Sequence, residues 1–273
     1  MKKSVKYILI YFILLVGAVA FTYPFLWMIL ATLSPESEIG ALYFLPSRFT
    51  LYNYLQVFQK IPILRSFLNS LLVSSLITTG VLVFGSMVGY ALSRLKFTGR
   101  NLIFYLIIFT MTLPFQITLI PQYILMVKFR WVDTYLALIV PYLMSAFGII
   151  MFRQYFKSIP QDLIDAARID GCGEMRILFN ILWPNSVPAL ITVGIITFMT
   201  TWNEVLWPLI VIRSEKLMTM PQIVTLFVVG GRSESQLGVK LASATLLAVP
   251  IILAYFFFQR YFIESMASTG LKE

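Results

Sequence analysis

The sequence has no histidine, a single cysteine and few charged residues, 12% of 273. Without histidine there are no imidazole metal ligands and no His-based nucleophile triads. One cysteine, Cys172, excludes an intrachain disulfide and leaves the redox compartment open. Its place among glycines reads as a small buried residue rather than a reactive thiol. No Gly-x-x-x-x-Gly-Lys-Ser/Thr loop is present to cradle nucleotide phosphates. Low-complexity tracts, internal repeats and linkers between soluble domains are also missing. A soluble domain carries about 25% charged residues, roughly twice the share here. What remains is apolar: 59% hydrophobic residues and a mean hydropathy of +0.85.

The few charges are clustered. Residues 7–35, 66–93, 101–127, 134–152, 177–203 and 241–259 contain no Asp, Glu, Lys or Arg. About 20 apolar residues cross a bilayer as a helix, and backbone in lipid must satisfy its own hydrogen bonds. The pattern predicts an all-α integral membrane protein with six transmembrane helices, forming one membrane domain over residues 1–273. A further apolar stretch, 217–231, contains Pro221 and Gly230–Gly231 and reads as a short helix packed at the outer surface. Lys2, Lys3 and Lys6 before an apolar run resemble a cleavable signal, with Ala18-Val19-Ala20 as the cleavage site. The run continues past that point to Leu33, which favours a retained first helix.

Six spans put both termini on one side. With the tails, 94–100 and 153–176 assigned there, that side holds Lys2, Lys3, Lys6, Arg94, Lys96, Arg100, Arg153, Lys157, Arg168, Arg176, Arg260 and Lys272. These are twelve of the 21 basic residues, concentrated in short segments next to helix ends. The positive-inside rule makes that side cytoplasmic. The net charge of +9 thus reflects membrane topology and does not imply nucleic acid.

One polar island interrupts the hydrophobic chain, within the cytoplasmic segment 153–184. Ile159-Pro160 suits a helix start, and Asp162 falls in its first turn, where a carboxylate complements the helix dipole. Leu163, Ala166, Ala167 and Asp170 recur at three-and-four spacing, so the first three are expected on one face. Gly171 suits the helix C-cap. A second short helix is expected from Glu174 to Pro184. An amphipathic helix lying on lipid headgroups is an alternative, although Asp162, Asp165, Asp170 and Glu174 match anionic lipid poorly.

The segment Asp165-Ala166-Ala167, then Gly171 after three residues, Ile181 after nine more and finally Pro184, resembles the loop by which ABC importer permeases dock on their ATPases. Asp165 stands where that pattern has Glu, and Trp183 where it has Leu. Asn53-Tyr54, Asn69-Ser70, the block Tyr90 to Arg100, Trp202-Asn203-Glu204-Val205-Leu206-Trp207-Pro208-Leu209 and the end from Gln259 to Lys272 are similar to the smaller permease of carbohydrate importers of the maltose and glycerol-phosphate type. The likeness covers nearly the whole chain and is specific in combination.

The resemblance implies the type I ABC importer permease fold, with cytoplasmic coupling helices between helices four and five. It implies a non-catalytic subunit that moves a sugar, oligosaccharide or sugar derivative into a bacterial or archaeal cell. The implied coupling residues are Asp165, Ala166, Ala167, Asp170, Gly171 and Pro184, and the tail from Ser265 to Glu273 is a further candidate contact. The implied partners are a second permease, two cytoplasmic ATPases that hold ATP and Mg, an extracytoplasmic solute-binding protein and membrane lipid. No cofactor or metal is expected in this chain.

Glu204 is the one ionisable residue inside an expected span. Such residues usually face a bundle interior or a watery path. Glu204, Asn203, Trp202 and Trp207 are therefore candidate substrate-path residues, with the indoles available to stack on sugar faces. The alternative is a Glu204 near the outer interface with the tryptophans as belt residues. Other functional readings are a permease for a non-sugar solute, an ion-coupled secondary transporter and a non-transporting scaffold.

Overall fold

The computed structural model describes residues 2–40, 45–230 and 236–270, with side chains described for 6–40, 45–230, 236–253 and 256. Among these residues the chain is helical throughout: α1 (Lys2–Thr32), α2 (Tyr52–Lys60), α3 (Ile63–Arg94), α4 (Arg100–Thr112), α5 (Phe115–Lys128), α6 (Tyr135–Ile139), α7 (Ala146–Ser158), α8 (Gln161–Ile169), α9 (Glu174–Ile177), α10 (Val187–Trp202), α11 (Leu206–Val211), α12 (Met220–Val229) and α13 (Leu237–Gly270). Four segments are long and apolar enough to cross a membrane: Lys6–Thr32, Ile63–Arg94, Tyr135–Ser158 and Pro184–Trp202. A fifth is the pair α4 and α5, bent by 103°. The sixth expected span falls on α13 (Leu237–Gly270), in which Leu237–Leu253 is apolar. One of the six expected spans is thus a bent pair of helices.

Two of the departures come from proline. Residues 101–127 break at Leu113 and Pro114, both extended (ψ 119° and 134°). The residue before a proline is pushed out of the helical region, so one expected span becomes two helices. The fifth helix, which the sequence places at about residues 186–212, stops at Trp202. Asn203 closes α10, and α11 restarts with Pro208 in its first turn, where a missing N–H costs nothing. The expected helix from Glu174 to Pro184 is a short α turn followed by a π segment, Leu178–Leu182.

The chain divides into two compact units, residues 1–64 with 223–252 and residues 65–222 with 253–273. In the first unit, buried Asn53 donates from Nδ2 to the carbonyls of Thr32 and Ser34 at 3.0 and 3.1 Å. Those carbonyls leave the end of α1 without helical partners, and the amide supplies donors for them. The Glu36 carboxylate accepts from the first N–H groups of α13, at Leu237 and Gly238.

In the second unit, Val73, Ile77 and Val81 of α3, Phe152 and Phe156 of α7, Ile164 of α8, Ile177, Leu178 and Val193 form a continuous core. Lipid offers no hydrophobic drive between helices, so close packing through small residues holds them. Gly89 is such a contact: a Cβ there would lie 2.7 Å from Phe152 Cβ and 3.0 Å from Arg153 N. The two ends are tied separately. At one, Asp133 accepts from the N–H groups of Arg213 and Ser214 (3.0 and 2.9 Å), and Asn69 holds the carbonyls of Lys216 and Met218. At the other, Arg94 binds the end of α7, next to the polar segment.

Candidate functional site

The polar segment starts where α7 ends. The Phe156 and Ile159 carbonyls accept hydrogen bonds from the Arg94 guanidinium in the last turn of α3. A cation there satisfies acceptors that the helix itself leaves open. Arg94 also donates to Gln161 Oε1 at 2.6 Å, at the first residue of α8.

In α8, Ile164 and Ala167 point into the core. Leu163, Ala166 and Ile169 stay exposed at three-residue spacing, Ile169 by 87%, with Asp162, Asp165 and Asp170 beside them. The spacing predicts one face for Leu163, Ala166 and Ala167; the structure divides it. Ala167 is buried against the protein, while Leu163 and Ala166 face away. The result is a small apolar strip edged with carboxylates.

The end of α8 is sharply defined. Gly171 N–H donates to Arg168 O at 3.0 Å and Cys172 N–H to Ala167 O at 2.9 Å, the pair of bonds that makes a Schellman cap. Gly171 has φ +77°, a left-handed conformation that costs glycine little and other residues more. Cys172 packs partly buried against the core. Pro184 is exposed and opens a single 3-10 turn into α10.

Behind α8, three residues from separate elements meet. Glu174 accepts a hydrogen bond from the Tyr90 hydroxyl and two from Arg168, at 3.1 Å (Nε) and 3.2 Å (Nη2). The Arg168 hydrogen bonds hold the Glu174 carboxyl below its ordinary pKa; partial burial opposes them and the Tyr90 bond assists. Arg168 is held above its ordinary value, chiefly by Glu174. Asp165 accepts from Gln161 Nε2 at 2.9 Å and from Arg168 Nη1 at 3.4 Å. Asp165, Gln161, Arg168, Glu174, Tyr90 and Arg94 thus link α8 to the end of α3. Sequence reasoning quoted Tyr90 and Arg94 in a family-like block without giving them a role. Glu174 reads as one more surface acid, and only the turn at Gly171 brings it back to Arg168 and Tyr90.

The second place is a cavity of about 130 Å³ within residues 65–222, lined by Val73, Ile77, Leu138, Tyr142, Thr200, Thr201, Glu204, Trp207, Pro208 and Thr219. Glu204 lies at its wall and caps α11: Oε1 accepts from Trp207 N–H at 3.1 Å. Trp207 is 1% exposed, and its indole N–H donates to Ala137 O at 2.9 Å. Trp202 is equally buried, stacked on Phe198 and edge-on to Phe67. Asn203 is exposed, with its amide turned back to Met199 O at 2.9 Å. So the cavity brings Glu204 and Trp207 together, while Trp202 and Asn203 are not among its lining. Nothing in the sequence pattern pointed to Tyr142 or Thr219.

A helical membrane protein with a polar, cap-defined segment exposed at one end is the class that these features define. Residues 81–268 match the family described as binding-protein-dependent transport system inner membrane component, and the chain belongs to that family. The arabinooligosaccharides transport system permease protein AraQ of Halalkalibacterium halodurans is 39% identical over 256 residues, 92% of this chain and 91% of that protein. The lactose transport system permease protein LacG of Rhizobium radiobacter is 30% identical over 268 residues, 97% of each. Among solved structures, a chain of a bacterial ABC transporter involved in the import of the acidic polysaccharide alginate superposes with a TM-score of 0.82 at 24% identity, covering 96% of this chain and 98% of that one. The fold is therefore that of an ABC importer permease.

Proposed function

We propose that this chain is one permease of an ATP-driven importer that carries a sugar, oligosaccharide or sugar derivative into the cytoplasm. Its relatives for arabinooligosaccharide and lactose support the carbohydrate assignment. The observation that carries the coupling role is the α8 surface. Leu163, Ala166 and Ile169 are exposed, Asp165 and Asp170 flank them, and Gly171 ends the helix in a fixed cap. That surface is the dock for one of two cytosolic ATPases, which hold ATP and Mg and hydrolyse the nucleotide.

The mechanism follows from how α8 is held. Arg94 and the Tyr90–Glu174–Arg168 contacts fasten the segment to α3 and α7, so a push on α8 is transmitted to membrane helices rather than absorbed by a loose loop. Closure of the ATPases on ATP swings this chain and a second, different permease from inward-facing to outward-facing. A solute-binding protein then delivers sugar at the opposite mouth. Both termini, 94–100 and 153–184 are cytoplasmic in this arrangement. Glu204 and Trp207 line the substrate path through their cavity, and Asn203 and Trp202 are assigned to the same path beyond its lining.

Uptake measured in cells whose ion gradients are collapsed while ATP is maintained tests the proposal. Uptake should persist, and the chain should copurify with ATPase subunits in mild detergent. Loss of uptake under those conditions overturns the ATP-driven reading.

A further inference from the structure

The polar groups around the Glu204 cavity are under-partnered. Thr219 is 5% exposed and lines the cavity, yet its hydroxyl makes no hydrogen bond to protein. The Tyr142 hydroxyl is buried near Gln122 and Glu204 without a hydrogen bond of good geometry. Glu204 uses Oε1 for the Trp207 cap, and no second protein donor to its carboxylate is found among the described residues. Buried hydroxyls are almost always paired, by protein or by a ligand or water. A position that needed only packing would tolerate valine for Thr219 and phenylalanine for Tyr142.

We propose that this cavity is a subsite for the hydroxyl-bearing edge of one neutral sugar unit, with the Glu204 carboxylate and the Tyr142 and Thr219 hydroxyls as its hydrogen-bonding groups. The proposal rests on the carbohydrate-importer reading above. Size limits what enters. A volume of about 130 Å³ is that of roughly four waters and falls below the ~300 Å³ of a pocket for a whole ligand. It accepts a hydroxymethyl group or a pair of ring hydroxyls while the rest of the sugar stays outside. Chemistry limits it further. A carboxylate only accepts hydrogen bonds, so sugar O–H groups suit it, whereas the carboxylate of an acidic sugar meets a like charge in a place of low dielectric. Val73 and Ile77 give the lining an apolar part that suits the C–H face of a ring. The site discriminates as well as binds.

The test uses the whole importer, with its partner permease, ATPases and binding protein, in proteoliposomes loaded with ATP and offered arabinotriose. Three variants each remove one group and keep its shape: Thr219→Val, Tyr142→Phe and Glu204→Gln, whose amide oxygen still accepts the Trp207 cap. Each should lower uptake per complex about 3- to 10-fold, the worth of one hydrogen bond. Thr219→Val and Tyr142→Phe should leave the melting temperature unchanged or raised, because they delete an unpaired buried hydroxyl. A purely structural role predicts the reverse, lower stability at unchanged uptake. If the wild-type complex takes up arabinotriose and all three variants match it, the subsite is overturned and the importer reading stands. Loss confined to Glu204→Gln also overturns it, in favour of a cation site. A wild-type complex that takes up acidic sugars and no neutral one overturns the subsite alone. One that hydrolyses ATP yet takes up no carbohydrate overturns both readings.

Discussion

Tyr90 on α3 donates its phenolic proton to the carboxylate of Glu174, 84 positions later in the chain, and Arg168 holds the same carboxylate from α8. The contact joins the last turns of a membrane-spanning helix to the segment proposed above as the ATPase dock. One acid ties the two elements together.

Tyr90→Phe tests that tie with the least disturbance, since the ring remains packed edge-on to Phe156. Loss of one hydrogen bond to a charged group, partly open to solvent, should cost about 1 kcal/mol of stability. The larger effect is expected on coupling: ATP hydrolysed per sugar imported should rise severalfold. The ratio of ATPase rate to uptake in proteoliposomes measures it, and an unchanged ratio removes Tyr90 from the transmission path.

The pH dependence has a definite sign. Glu174 has its pKa lowered in the folded chain, first by Arg168. A lowered carboxyl contributes stability that is present above the ordinary value of 4.5 and lost as pH falls through the folded one. The difference in melting temperature between wild type and Glu174→Gln should therefore stay constant from pH 8 to pH 5 and shrink below about 4.5. Because both side chains are over a third exposed (35% and 43%), that difference corresponds to no more than about 1 kcal/mol. A difference that varies between pH 6 and 8 indicates some other titrating group.

Local patterns in the sequence proved more legible than long runs. The Gly171 cap was readable because a left-handed C-cap selects glycine at the point where apolar periodicity stops. Asn53 and Asn69 were visible as family-like positions, and each proves to hold two loop carbonyls. Hydropathy, in contrast, treats residues 101–127 as one span, since Pro114 and Leu113 are themselves apolar. Only the backbone restriction imposed by proline turns that run through 103°. The cavity was hidden for another reason. Glu204 stood out as a charge in an apolar stretch, but Tyr142 and Thr219 come from distant elements and look ordinary in their own neighbourhoods.

Gly171→Pro should uncouple the importer while leaving its helices inserted. Proline fixes φ near −65° against the observed +77° and removes the N–H that donates to Arg168 O. Gly171→Ala is the milder companion: a Cβ meets nothing within 4 Å, so only the left-handed backbone is penalised, by roughly 1 kcal/mol. Uptake should be abolished in the first and reduced in the second, at equal membrane abundance by immunoblot. Full uptake by the proline variant contradicts the coupling role.

Gly89→Ala separates packing from conformation. The added methyl would sit 2.7 Å from Phe152 Cβ and 3.0 Å from the Arg153 backbone nitrogen, neither of which yields easily. Overpacking of this kind costs about 1–3 kcal/mol. Gly194→Ala is the control: its methyl would touch Leu82 at an ordinary 3.7 Å, and alanine in a helix interior gains up to about 1 kcal/mol over glycine. Thermal unfolding in detergent should show the two moving in opposite directions.

Asn69 gives the most discriminating substitution pair. Its amide donates to Lys216 O at 3.0 Å and Met218 O at 2.9 Å, and its carbonyl oxygen accepts from the Tyr135 hydroxyl at 2.7 Å. The residue is 5% exposed, so water cannot replace lost partners. Asn69→Ala abandons all three bonds and should cost about 2–4 kcal/mol at roughly 1 kcal/mol each plus the unpaired acceptors. Asn69→Asp keeps the shape and the Tyr135 bond, and size alone would rank it as the milder change. Yet an ionised carboxylate has no donors, and it would face two carbonyl oxygens in a buried site. Aspartate should therefore lower the melting temperature more than alanine does. The reverse order would mean that the shape of Asn69, rather than its two donated protons, latches this loop to α3.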